Sequence, residues 1–254
     1  MSATVDALIA RLLGMQIKLL ACQARLAAET DSEALHELRT SVRRLRSLLR
    51  PLRAYPGVDR LEAAAKAVGD LTTPLRDREV LAAHLLEQGQ ASAARRRQDQ
   101  MHEVFPRVAD SQEVRLLLVV LDGFPSFLRA AQRQRALRGM AKAIDKRLHK
   151  QWQKLRAALK DPAHDRHRLR LLIKRVRYGA EAYPEFNRLP KAGLKCLKDA
   201  QGALGDWHDH YQWLAQAARE SDLRDCVAGW QLGMHRAEQR ADAVLLKLAK
   251  VRCR

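Results

Sequence analysis

The chain has 254 residues, 47% of them hydrophobic and 30% charged, which supplies enough apolar material for a core and excludes wholesale disorder. Its formal net charge is +18. Patterned charge of that size points to a polyanionic partner: nucleic acid, an acidic membrane surface or a phosphate polymer.

The longest apolar run, Leu116 to Leu121, is too short to span a bilayer. Asp6 precedes the first basic residue, Arg11, so the N-terminus does not read as a signal or transit peptide. Cysteines at 22, 196, 226 and 253 have no C-x-x-C spacing, which suits free thiols in a reducing compartment. These features predict a cytoplasmic protein with no membrane partner.

Helix signals dominate the chain, and alternating β-branched runs are missing from it. A first amphipathic helix is predicted over about 4–28, with Arg11, Lys18 and Arg25 spaced by sevens near one face. Thr30 and Glu33 have capping-box spacing, with Asp31 and Ser32 as rival caps. The next helix, from Leu35, carries Leu35, Leu38, Val42, Leu45 and Leu49 on one face. Beside that stripe run His36, Arg39, Arg43, Arg46 and Arg50, with no glutamate among them to form i,i+4 pairs. Repulsion within the band costs stability, so an anion is expected along it. Pro51 ends or kinks this helix, and Pro56-Gly57 closes the segment. A helix over about 59–71 follows, and Thr73-Pro74 is predicted to open another, reaching about 88. Residues 89–110 look the least regular, and Arg95, Arg96 and Arg97 read as a solvated face or loop. A short apolar helix covers 112–121 before Gly123 and Pro125 break the chain.

The second half repeats the order: a helix over about 136–160, an Asp161-Pro162 cap, and then a copy of the cationic helix. His167, Arg170, Lys174, Arg175 and Arg177 match His36, Arg39, Arg43, Arg44 and Arg46 at one offset (167 − 36 = 131). Leu169, Ile173, Val176 and Ala180 repeat the apolar face, so the halves read as an internal duplication. The first-helix stripe recurs as Lys142, His149 and Arg156. Helices over about 190–204 and from Asp206, and a last one over about 222–250, complete the chain. With one residue gained, Lys198 matches Lys66 and Asp209 matches Asp77 (209 − 77 = 132). Each half thus offers two cationic stripes on neighbouring helices, which could join into one basic wall.

Metal and catalytic constellations are weak. In W-H-D-H at 207–210, His208 and His210 would point opposite ways on a helix, so a capped helix start with surface histidines is preferred to a metal site. His164 and His167 are likewise a minority metal reading. Phosphate-loop, nucleophile-elbow and H-E-x-x-H motifs are not found. Asp70, Asp77, Asp206 and Asp209 read as caps and arginine partners rather than catalytic carboxylates. His36 and His167, each heading an arginine stripe, read as phosphate contacts.

The stretches L-H-E-L-R-T-S-V-R-R-L-R from Leu35 and H-R-L-R-L-L-I-K-R-V-R-Y from His167 resemble the CHAD family, the conserved-histidine α-helical domains. L-R-D-R-E-V from Leu75 and L-K-D-A-Q-G-A-L-G-D-W-H-D from Leu197 reinforce the likeness, which covers about 4–250. The resemblance implies an all-α fold of two antiparallel four-helix bundles related by a pseudo-twofold axis, here 1–130 and 131–254. It also implies inorganic polyphosphate as partner, bound by basic side chains in a groove or pore between the bundles; polyphosphate-containing granules are then a natural location. Lys174 in place of an arginine, and Pro51 late in the first motif helix, depart from the pattern.

The physics points the same way. A line of phosphates has no bases to read, so its receptor needs repeated cations, with arginine forks engaging oxygens bidentately. First contacts are expected from Arg39, Arg43, Arg46, Arg170, Lys174 and Arg177, with His36 and His167 as further donors. Lys18, Arg25, Lys142, His149 and Arg156 would flank them, and Lys66 and Lys198 are weaker candidates. No cofactor, metal or catalytic residue is expected. Nucleic acid is expected only as a non-specific electrostatic competitor. Two alternatives stay open: a nucleic-acid-binding protein, and a metal-dependent enzyme that processes polyphosphate.

Overall fold

The computed structural model of the protein describes residues 3–31, 33–102, 104–161, 163 and 165–252. These form ten α-helices: α1 (Ala3–Ala27), α2 (Glu33–Leu49), α3 (Val58–Glu87), α4 (Ala91–His102), α5 (Val104–Ala109), α6 (Gln112–Arg133), α7 (Met140–Ala158), α8 (Arg166–Ala182), α9 (Lys191–Ala217) and α10 (Val227–Ala249). Short 3-10 turns lie at Arg50–Leu52, Pro184–Phe186 and Ser221–Cys226, and the described residues contain no strand. No helix among them is long and apolar enough to cross a membrane. The chain divides into two compact units, Met1–Ile144 and Asp145–Arg254.

In the first unit α1 packs on α2, α5 and α6, α2 packs on α3, and α3 packs on α4 and α6. The predicted stripe of α2 is its core face: Leu35, Leu38, Val42, Leu45 and Leu49 are all buried. Burying each such side chain stabilises the fold by about 2 kcal/mol. That is why the helix tolerates crowded arginines on its other flank. In the second unit, Trp152 and Leu155 of α7 meet Leu169, Ile173 and Val176 of α8, Leu197 and Leu204 of α9, and Leu245 and Leu248 of α10 in one core.

Several predicted breaks are not breaks. Thr73-Pro74 does not open a helix, because α3 runs through it. Proline there removes one backbone hydrogen bond. Neighbouring hydroxyls tie down the same turn: Thr72 Oγ1 donates to Val68 O and Thr73 Oγ1 to Gly69 O, both at 2.7 Å. Likewise α9 passes through Asp206, whose carboxylate accepts from Arg240 Nη2 at 3.0 Å rather than capping a helix. Helix α6 carries Gly123 and Pro125 inside it. The stretch read as irregular, 89–110, is mostly α4 and α5, and Arg97 is buried with Nη1 on Ala93 O at 2.9 Å. Alanines at 93 and 94 bury there too, and one arginine of the three follows them inward.

Local signals decide the starts of the two motif helices. Asp31, among the rival caps, accepts the Glu33 N–H at 3.0 Å, while Thr30 Oγ1 turns back to Arg25 O. Ser32 lies outside the described residues, as do Pro162, His164 and Cys253. Helix α8 is capped by Asp165, which accepts the His167 N–H at 2.8 Å, and not by Asp161. Cys22, Cys196 and Cys226 are free thiols, and burial pushes the Cys22 pKa up.

Candidate functional site

In the first unit Arg39 and Arg46 of α2 face α3. Arg39 is half-buried and its Nη1 donates to Thr72 Oγ1 at 2.9 Å, Thr73 Oγ1 at 3.1 Å and Gly69 O at 3.3 Å. Burial lowers its pKa from the ordinary value; Asp77 pulls it the other way, and Arg76 and Arg43 add to the lowering. The glycine at 69 also admits Arg46: a β-carbon there would stand 3.4 Å from Arg46 Nη1. Arg46 Nε is buried with no hydrogen-bond partner among the described residues. Arg43 is exposed, and its Nη2 reaches Thr40 Oγ1 at 3.4 Å. His36 is half-buried one turn before Arg39.

Close by, Arg76 Nη1 donates to Glu79 Oε2 at 2.8 Å. Burial pushes the Glu79 pKa up, and Arg76 and His36 pull it down. A half-buried carboxyl thus sits at the edge of these cations, held by an arginine of its own helix.

In the second unit His167, Arg170 and Lys174 of α8 face α9. His167, exposed in the first turn of α8, has its ring 5.5 Å from that of His208 on α9, centroid to centroid. His208 is half-buried and its Nδ1 has no hydrogen-bond partner among the described residues. Burial, with Arg170, His167 and Lys174 adding positive charge around it, lowers its pKa from 6.5 to about 4. His208 is thus neutral near pH 7, inside a nest of cations. Arg170 and Lys174 are both half-buried.

The CHAD domain family model matches residues 11–218 of the chain. The chain belongs to the CHAD family. A solved structure described as the CHAD domain from the plant Ricinus communis is similar to it, with 20% sequence identity, a TM-score of 0.62, and coverage of 100% of this chain and 95% of that one. At that identity the likeness speaks for the fold. No curated protein gives a significant match.

Within this CHAD domain, the residues chosen from sequence sort by what already holds them. Arg39 and Arg46 share the α2–α3 face with His36, Arg43 stands exposed beside Thr40 of its own helix, and Arg170 and Lys174 share the α8–α9 face with His167. Arg177 is drawn along its own helix, paired with Glu181 at 2.9 Å, its guanidinium 5.3 Å from the centre of the Tyr178 ring. Arg25 is held by two carboxylates. It meets Asp31 through Nε at 2.8 Å and Nη2 at 2.6 Å, and its Nη1 donates to Glu37. Those bonds raise the Arg25 pKa and hold the Asp31 carboxyl down at about 2. Lys66 pairs with Asp70 one turn on. His149 bonds Gln153 at 2.8 Å and lines a cleft with Asp145, Val176, Ala180 and Asn187, at other helical positions of α8 than Arg170 and Lys174. Lys18, Lys142, Arg156 and Lys198 are exposed.

Sequence reading missed three contributors. Thr72 and Thr73 orient Arg39 across the helix pair, and only a hydroxyl tandem before Pro74 hinted at them. The sequence makes His208 a surface histidine near a helix start; in the structure it lies mid-helix beneath α8. Its position matches Arg76 in the first half (208 − 76 = 132), a signal available in the repeat itself. Among the described residues, no group of three or more His, Cys, Asp and Glu side chains is arranged to hold a metal ion.

Proposed function

We propose that this CHAD domain binds inorganic polyphosphate through the cations of α2 and α8, as a binding module and not as an enzyme. The observation that carries the reading is the composition of those faces. Arg39, Arg43 and Arg46 line one helix face with no carboxylate interleaved, and Arg170 and Lys174 do the same on α8. Such a row stores repulsion that a linear anion relieves. Arginine forks take phosphate oxygens in pairs, and release of condensed counterions supplies much of the affinity.

The order of elements supports an internal duplication beneath the two rows. A 17-residue helix, a 3-10 turn containing proline and a long helix occur as α2, Arg50–Leu52 and α3, and again as α8, Pro184–Phe186 and α9.

Titration of fluorescently labelled polyphosphate over a range of salt tests the reading. Replacing Arg39 and Arg43 with Ala is expected to weaken binding and to reduce the slope against log salt by about 1.5, roughly 0.7–0.9 per contact. Replacing Arg95 and Arg96 with Ser, leaving the buried Arg97 in place, is the control and is expected to do much less. A larger loss from the control pair would move the site away from α2. Duplex DNA competing as well as polyphosphate at equal phosphate concentration would favour a general nucleic-acid binder instead.

A further inference from the structure

Beside the cations of α8 stands a line of rings that a phosphate polymer does not require. Tyr211 and Trp207, one turn apart on α9, stack with centroids 5.9 Å apart and planes 25° apart. Trp207 lies 6.2 Å from His208, and His208 lies 5.5 Å from His167. Four rings thus run from the outer face of α9 to the start of α8, ending where Arg170 and Lys174 surround His208.

A packing role does not account for the outer end. Trp213 and Trp230, whose rings pack at a tilt of 45°, are buried, whereas Tyr211 is 58% exposed. Trp207 is fixed from behind, its Nε1 donating to Glu238 Oε1 at 3.2 Å. That carboxylate is itself faced by Arg166 at 3.8 Å and His235 at 3.9 Å, so it does not stand alone against an incoming anion. Asp206, on the same helix as the rings, is paired with Arg240 at 3.0 Å.

The matched positions of the first half differ in kind. Trp207, His208 and Tyr211 correspond to Leu75, Arg76 and Glu79 at the offset of 132 (207 − 75, 208 − 76, 211 − 79). There the chain places a buried aliphatic residue and a carboxyl bonded to Arg76. Polyphosphate offers no π-face, so the rings of the second unit add a capacity that the first lacks.

We propose that the second unit takes a nucleobase joined to phosphates, the base stacking on Tyr211 and Trp207 while the phosphates lie along His167, Arg170 and Lys174. This rests on the α8 row being an anion site, as proposed above. Stacking on an aromatic shelf beside a cationic track is the sequence-tolerant way to hold unpaired nucleotides. The shelf is open at Tyr211, which favours an unpaired strand, whose successive nucleotides add contacts, over a free nucleotide.

The test uses the full chain and four probes: a short oligothymidine, an abasic oligomer of equal length, ATP and long-chain polyphosphate. The base-bearing strand is expected to bind about tenfold tighter than the abasic one, the effect of one stacked base. Tyr211→Leu removes most of that difference and leaves abasic and polyphosphate affinities within about twofold, since no charge is lost. Tyr211→Phe keeps it. ATP competing as well as the strand assigns the shelf to free nucleotides, and weak competition assigns it to a strand; base stacking stands in both cases.

Equal binding of base-bearing and abasic strands by the unaltered protein overturns the proposal, with no variant needed. So does a Tyr211→Leu protein that loses polyphosphate as strongly as oligothymidine. Oligothymidine bound in preference to its abasic form, with polyphosphate unbound, removes the polyphosphate reading and leaves this one. Binding of neither overturns both.

Discussion

Replacing His208 with Gln probes the cation nest of the second unit through its pH dependence. Burial and the charges of Arg170, His167 and Lys174 hold the His208 pKa at about 4, against 6.5 for an unperturbed imidazole. In the unfolded chain the ring protonates below about 6.5, whereas in the folded protein it stays neutral until about 4. Between those values the unfolded state binds the extra proton, so stability falls as pH drops through this window and is unaffected above it. The distance between those two values corresponds to about 3 kcal/mol, and residual solvent at a half-buried ring reduces this to about 2 kcal/mol. Urea unfolding of the native and His208→Gln proteins at pH 7.5 and pH 4.5 reads the difference. The native protein is expected to lose about 2 kcal/mol more than the variant over that interval. Equal losses would refute the placement of His208 among the cations. Polyphosphate adds a second reading of the same group. Phosphates beside Arg170 and Lys174 favour the charged ring, so binding is expected to take up a proton and tighten toward pH 5. His208→Gln flattens that slope, and calorimetry in buffers of different ionisation enthalpy counts the proton.

Other perturbations have outcomes set by the same geometry. Arg25→Ala is expected to change polyphosphate affinity by less than about twofold, because Asp31 and Glu37 already occupy that guanidinium. The same variant releases the Asp31 carboxyl from about 2 toward the ordinary carboxylate range, visible in an NMR titration. Gly57 has φ of +73°, and a β-carbon there would meet Phe127 Cε1 at 2.8 Å. Gly57→Ala is therefore expected to cost about 2 kcal/mol in thermal or urea unfolding, with binding per folded molecule unchanged. Thr72→Val with Thr73→Val removes two acceptors from Arg39 and is expected to weaken polyphosphate binding by about three- to tenfold with no change of salt slope, since no cation is lost.

The helical character and the two cationic faces were legible because both depend on period alone. The stripe from Leu35 to Leu49 is buried, and its flank carries Arg39, Arg43 and Arg46 as the 3.6-residue turn requires. What escaped was whatever a second element supplies. Proline at 74 reads as a helix start because the local rule sees only the missing N–H; hydroxyls of the same helix and an arginine from α2 gather at that turn. Arg25 was placed on a basic stripe by its heptad spacing, which says nothing of Asp31 and Glu37 closing over it. The sequence makes both His208 and His210 surface histidines at a helix start, whereas burial against α8 makes His208 a neighbour of Arg170. Pattern reads one helix at a time, and in all three places a second element supplies what it leaves out.

The cradle beneath Arg39 has a consequence for timing. An arginine carries about 2 kcal/mol of rotamer entropy, and a fixed fork loses less of it on meeting a phosphate. Arg39 is held before any ligand arrives by Thr72, Thr73 and Gly69. Helix α2 therefore carries an arginine set in advance by hydroxyls. For a polymer made of identical units, such a fork offers a ready first contact. The phosphate that meets the ready fork has the smaller ordering cost, and a chain anchored there searches for its remaining contacts at the high local concentration of a tethered ligand.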